Sequence, residues 1–151
     1  MNHKIKKVFS CGKILDIDLY LQLQNLDLTN PNFKDCGNEF KPNRDWWVYT
    51  DKKNNIIAYC GSIYAEDICI FNRAWVKRKY RGKGLHRKMI NIRLVAAKKR
   101  SKIAITYTIY QNYASANNLI KAGFQLYGPQ YEYGGKVLYF RKDLHIIKKP
   151  K

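Results

Sequence analysis

Residues 76–86 read Val76-Lys77-Arg78-Lys79-Tyr80-Arg81-Gly82-Lys83-Gly84-Leu85-His86. A β-branched strand end runs here into a basic turn with two glycines, and the turn opens an amphipathic helix. Gly82 and Gly84 permit backbone angles that side chains disfavour, so successive amide N–H groups can converge on one concavity. The helix that follows adds its unpaired N-terminal donors and the positive end of its dipole. An anionic group such as a phosphate is the expected guest. The spacing is neither Gly-x-Gly-x-x-Gly nor Gly-x-x-x-x-Gly-Lys-Ser/Thr, which excludes the dinucleotide fingerprint and the triphosphate loop.

Outward from this turn the charge is lopsided. The net charge is +18. Residues 1–75 carry ten Lys or Arg and nine acids, whereas residues 76–151 carry nineteen and two. A single phosphorylated ligand occupies only a few such cations, so the surplus predicts a polyanionic partner: DNA, RNA or an acidic protein. A polycationic acceptor would be repelled unless Asp16, Asp18, Asp27, Asp35 and Glu39 line its entrance. Lys outnumbers Arg, and Asn, Ile and Tyr are frequent, the residue usage of an AT-rich genome such as that of a virus or a low-GC bacterium.

An apolar fraction of 46% over 151 residues supplies one core. The chain therefore reads as a single domain over residues 1–145, with a basic tail at 146–151 expected to be disordered. Cys11, Cys36, Cys60 and Cys69 form no Cys-x-x-Cys pair, and His3, His86 and His145 have no metal-ligand spacing. Neither a metal site nor a disulfide framework is expected, and the compartment is expected to be reducing. No stretch approaches the ~20 apolar residues of a membrane span, so the expected location is the cytoplasm.

The periodicity predicts a strand near Ile5–Phe9, a helix over Ile17–Leu28 and a loop or broken helix over Asn30–Arg44. Three strand-like runs follow, Asp45–Thr50, Ile56–Tyr64 and Ile68–Val76, separated by turns at Asp51–Asn55 and Glu66-Asp67. From Leu85 a helix buries Met89, Ile92 and Ala96, widened by Leu94 and Val95, and ends in Lys98, Lys99 and Arg100. Ile103–Ile109 is a strand, Ala114–Ala122 a short helix closed by Gly123, and Phe124–Tyr127 with Lys136–Arg141 a strand pair across Gly134-Gly135. Adjacent Trp46 and Trp47 face opposite sides of their strand, so one indole is expected at a surface or cleft.

With the elements in this order, two motifs resemble the GNAT superfamily of acyl-CoA-dependent N-acyltransferases. The turn at 76–86 is similar to Val-x-Pro-x-Tyr-Arg-Gly-x-Gly-Ile/Leu-Gly/Ala. Asn112-Tyr113-Ala114-Ser115, followed by Leu119-Ile120-Lys121-Ala122-Gly123-Phe124, is similar to Asn-x-x-Ser…Lys-x-Gly-Phe. The resemblance implies an α/β (α+β) fold: a mixed, mostly antiparallel twisted sheet of six or seven strands flanked by about four helices. It also implies acetyl-CoA. Trp75 and Val76 would pair through their backbone with the pantetheine arm. Arg81, Gly82, Lys83, Gly84, Leu85 and His86 would hold the diphosphate, and Asn112 and Ser115 would flank the arm. Three positions depart from the pattern. Arg78 replaces proline, His86 replaces Gly or Ala and must turn aside or bind phosphate, and Leu119 replaces the tyrosine that protonates the departing thiolate.

The implied reaction is acetyl transfer from acetyl-CoA to an amine, on a nucleic-acid-associated or otherwise polyanionic acceptor. An amine of pKa ~10.4 is neutral in about one molecule in a thousand at pH 7, a cost of roughly 4 kcal/mol. Glu66 and Asp67 are the nearest carboxylates to serve as base, although a polar hairpin turn accounts for them equally, and a water chain ending on Asn72 or a tyrosine hydroxyl is the alternative. Tyr113 or Ser115 would assist the leaving thiol, and a backbone amide near Trp75 or Val76 would stabilise the oxyanion. The competing expectation is a non-catalytic nucleic-acid-binding or regulatory protein on the same fold.

Overall fold

The computed structural model describes residues 4–33, 40–129 and 136–145. Eight strands and three α-helices follow one another in the order β1 (Ile5–Ser10), β2 (Lys13–Ile14), α1 (Ile17–Thr29), β3 (Arg44–Thr50), β4 (Ile56–Ala65), β5 (Ile68–Val76), α2 (Leu85–Ala97), β6 (Ile103–Ile109), α3 (Tyr113–Lys121), β7 (Gln125–Leu126) and β8 (Val137–Asp143). The strands form one mixed sheet in the order β2-β1-β3-β4-β5-β6-β8-β7. The expected strand count of six or seven becomes eight through the two-residue strand β2. About four helices were expected, and three lie among the described residues. The Gly134-Gly135 turn and the tail at 146–151 lie outside them. No helix of the described residues is long and apolar enough to cross a membrane.

The chain forms two compact units, Met1–Ile63 with Asn72–Leu85, and Tyr64–Phe71 with His86–Lys151. In the first, β1 and β3 pair antiparallel with a bulge between Lys7 and Phe9, and β3 pairs antiparallel with β4. Cys11 and Gly12 both have positive φ, 46° and 92°, which turns β1 back onto β2 as a two-residue hairpin. Asp16 caps α1 by accepting from the Leu19 amide at 3.1 Å. One stripe of α1, Leu19 and Leu23, is fully buried with Val8, Trp46, Val48 and Tyr59. Both adjacent tryptophans are covered, Trp46 at 0% exposure and Trp47 at 2%. The expectation of an exposed indole is therefore corrected: Trp46 stacks on Phe40, and Lys7 lies 5.2 Å over the Trp47 ring.

In the second unit, β5 pairs parallel with β6 over Ile68–Ile70 and Ile103–Ile105, and β6 pairs antiparallel with β8 along its whole length. The core gathers Cys69 and Phe71 of β5, Ile90, Leu94 and Ala97 of α2, Ala116 and Leu119 of α3, and Phe124 and Phe140. The buried face of α2 is rotated from the expected one. Met89 and Leu94 are inside as expected, but Val95 is 59% exposed and Arg93 is buried. The Arg93 guanidinium lies 4.5 Å over the Phe71 ring, and its Nε–H donates to the Met89 carbonyl. An aromatic face and a carbonyl satisfy a charge that hydropathy alone places outside.

Candidate functional site

The turn between β5 and α2 belongs to the first unit. Its start is tied down by the Lys77 amide, which donates to the Ile57 carbonyl at 2.8 Å. A single 3-10 turn, Arg78–Tyr80, follows, and the Arg81 amide closes it on the Arg78 carbonyl. Gly82 and Gly84 then adopt φ of 75° and 83°, and a Cβ built on either would meet no atom of the described residues within 4 Å. The left-handed backbone explains why glycine stands there, and the open space is where a ligand would lie. Leu85, 3% exposed, anchors the first residue of α2. Lys79 and Lys83 lie 5.2 and 5.5 Å over the Tyr80 ring, which holds two cations beside the turn. Arg81 Nε–H donates to the Val76 carbonyl at 3.0 Å, so this side chain folds back on the strand end. Exposed glycine amides, gathered cations and a helix N-terminus fit a diphosphate.

The second unit holds the other expected residues. Asn112 caps α3: its Oδ1 accepts from the Ser115 amide at 3.2 Å. Tyr113 is 66% exposed and Ser115 is half-buried. His86, the second residue of α2, turns aside onto α3. Its Nδ1 lies 3.1 Å from Asn118 Nδ2, and its Nε2 lies 3.5 Å from Ser115 Oγ. Burial, with a smaller contribution from the Arg93 charge, pushes the His86 pKa down to about 4.

Glu66 and Asp67 form the turn between β4 and β5. Glu66 takes φ 52° in the turn between β4 and β5. The Asp67 carbonyl accepts from the Lys102 and Ile103 amides, and its carboxylate pairs with Lys102 Nζ at 3.4 Å. They stand at the opposite end of nine-residue β5 from Trp75 and Val76. At ~3.3 Å per residue, the strand separates them from that end by more than any side chain spans. Their contacts are those of a polar hairpin turn, the other reading that the sequence offers for them.

A cluster that no motif announces lies in the first unit. The Tyr59 hydroxyl donates to Asp27 Oδ1 at 3.0 Å and accepts from Asn30 Nδ2 at 3.0 Å. Arg73 Nε lies 3.8 Å from the same Asp27 oxygen, and its guanidinium sits 5.1 Å over Phe33. Burial and the Asp27 charge push the Tyr59 pKa upward, so the hydroxyl keeps its proton. Arg73 has φ 49°, a left-handed backbone inside a strand that only strong local contacts sustain. Two residues on, Trp75 packs against Tyr59 with ring centroids 5.5 Å apart. The cluster thereby shapes β5 just before the strand end that leads into the glycine turn. Its sequence signal is weak: Asp27 falls on the Leu19–Leu23 stripe of α1, and Arg73 interrupts an apolar strand.

The strand order and the glycine turn that opens α2 are those of an N-acyltransferase fold. The chain belongs to the GNAT acetyltransferase family, whose sequence profile matches residues 15–124. No curated protein matches the sequence. Among solved structures it is similar to the IAA acetyltransferase from Bacillus cereus, with 12% identity over 95% of this chain and 100% of that one, and a TM-score of 0.71. It is also similar to the ribosomal-protein-S18-alanine N-acetyltransferase from Escherichia coli, with 12% identity over 98% and 97% and a TM-score of 0.70. A Bacillus anthracis protein described as a streptothricin acetyltransferase, solved with acetyl coenzyme A, aligns over 69% of this chain and 64% of its own. There the identity is 20% and the TM-score 0.58. At these identities the likeness is one of fold.

Proposed function

We propose that this protein transfers an acetyl group from acetyl-CoA to an amine carried on a polyanionic acceptor, such as a nucleic acid or a nucleic-acid-associated protein. The observation that carries the first half is the left-handed pair Gly82 and Gly84 at the start of α2, with no atom of the described residues within 4 Å of a Cβ built on either. The backbone amides of Arg81 to Leu85 and the cations Lys79 and Lys83 would hold the diphosphate of the donor. Backbone groups of Trp75 and Val76 would orient its pantetheine arm, with Asn112 and Ser115 beside it. Bound acetyl-CoA supplies the activated thioester carbonyl. Ser115 and the exposed Tyr113 are the hydroxyls assigned to the leaving sulfur.

The second half rests on charge. Nineteen of the 29 Lys and Arg lie in residues 76–151 with two acids, a field that attracts polyanions and repels polyamines. This favours an amine embedded in a polyanionic carrier over a free cationic one. The same field supports the alternative of a non-catalytic nucleic-acid-binding or regulatory protein.

Isothermal titration with acetyl-CoA tests the first half. We expect binding by the parent protein and a loss of at least about 100-fold in Gly84→Trp, whose indole fills the space above the turn. Absence of binding by the parent removes the acetyltransferase reading. Incubation with acetyl-CoA and fractionated cell extract, read by mass spectrometry, then identifies the acceptor. Oligonucleotide binding that falls steeply with salt, without acetyl-CoA binding, would establish the alternative.

A further inference from the structure

His86 stands where the resemblance leads one to expect glycine or alanine, and both of its ring nitrogens meet side chains of α3. Asn118 and Ser115 lie three residues apart, one turn of that helix, on the same face. Asn118 presents Nδ2 to His86 Nδ1 at 3.1 Å, and an amide nitrogen only donates. Nδ1 is therefore the accepting nitrogen, and the ring proton belongs to Nε2. Nε2–H in turn faces Ser115 Oγ at 3.5 Å. A serine oxygen that accepts from His86 directs its own proton elsewhere. The Ser115 backbone is fixed as well, since its amide donates to Asn112 Oδ1 at 3.2 Å.

We infer that His86 is a positioning residue: through its Nε2–H it orients the Ser115 hydroxyl as hydrogen-bond donor to the sulfur that leaves the acyl donor. This rests on the proposed acetyl transfer. In that reaction the amine nitrogen bonds to the thioester carbon and loses a proton to water. The carbon–sulfur bond breaks with its electron pair on sulfur. Ser115 keeps its proton and stabilises the thiolate by hydrogen bonding, because an alcohol is a far weaker acid than a thiol of pKa about 8.5. The thiolate then departs and equilibrates with solvent. His86 never carries the proton of the reaction. Burial and Arg93 hold it neutral, so its donor and acceptor ends keep their places from about pH 6 upward. The pair replaces with two residues what Leu119, a buried hydrocarbon, cannot supply.

Nitrogen NMR of histidine-labelled protein reads the tautomer without turnover. At pH 7 a ring protonated on Nε2 alone is expected, with an Nε2 resonance that moves on Ser115→Ala. A proton on Nδ1 overturns the inference. Kinetics supply the second arm. Ser115→Ala should lower kcat about tenfold with the acetyl-CoA KM within about twofold, the pattern of an interaction made in the transition state. His86→Ala should lower kcat about three- to tenfold when Ser115 is present and leave it unchanged in Ser115→Ala protein, the mark of action through that hydroxyl. His86→Gln, whose amide can donate from a nearby position, should recover part of the loss. Equal losses from His86→Ala in both backgrounds, or a loss confined to KM, overturn the inference while leaving acetyl transfer intact. Failure of the parent protein to bind acetyl-CoA overturns the reaction itself, and the positioning role with it.

Discussion

Gly82 and Gly84 stand exposed on a turn where an added Cβ would meet no atom of the described residues within 4 Å, whereas Asp27, Asn30, Tyr59 and Arg73 are each at least nine-tenths buried and bonded to one another. Both belong to the first unit, and both bear on the same strand, β5, one at its end and one at its middle. The turn is defined by the backbone angles of Gly82 and Gly84, which the local sequence dictates. The cluster is defined by side chains from α1, the segment after it, β4 and β5, which meet only once the unit has folded. A site of the first kind can lose its ligand and keep its fold. A site of the second kind cannot lose a member without losing stability.

The sharpest way to break this contrast is to remove one charge from the cluster. Arg73→Met leaves the Asp27 carboxylate buried without its cation, and Asp27→Leu does the converse to Arg73. Each should cost about 3–5 kcal/mol, the usual consequence of stranding a buried charge. Urea unfolding measures it. The double variant Asp27→Leu/Arg73→Met should regain a large part of that loss, because no uncompensated charge remains. Full additivity of the two single losses would mean that the residues do not act as a pair.

Folding depresses the His86 pKa from 6.5 to about 4. The unfolded chain therefore takes up a proton below pH 6.5 that the folded protein refuses until about pH 4. Stability from this group is complete above pH 6.5 and falls as the pH drops toward 4, by up to about 3 kcal/mol. His86→Gln cannot titrate, so its urea midpoint should change less between pH 7 and pH 4.5 than that of the parent. Identical pH dependence in the two proteins would place the ring in a less protected setting.

The same division governs what the sequence discloses. The turn was legible because Gly82 and Gly84 act locally, each through its own φ, and the limits of β5 and β6 followed from apolar runs bounded by polar turns. The hairpin into β2 was legible in principle, since Cys11-Gly12 is a turn pair between two short apolar stretches. Asp27 and Arg73 were not, because an isolated charge on an apolar face reads equally as a break in the pattern or as half of a buried pair. Its partner lies 46 positions away along the chain. Arg93 illustrates the same limit. Its burial depends on the Phe71 ring and the Met89 carbonyl, neither of which marks the α2 sequence, and so the helix face was expected about one position off.

The smallest expected effect tests the turn itself. In Gly82→Ala the new methyl meets no atom of the described residues within 4 Å, so the expected cost is that of a side chain at φ 75°. A single L-residue in the left-handed region costs about 1–2 kcal/mol, partly offset by the lower freedom of alanine in the unfolded chain. A net loss of about 1 kcal/mol in urea unfolding is expected. A markedly larger loss would show that the glycine turn is packed into its unit like the Tyr59 cluster, and the distinction between an open ligand turn and a buried scaffold would not hold.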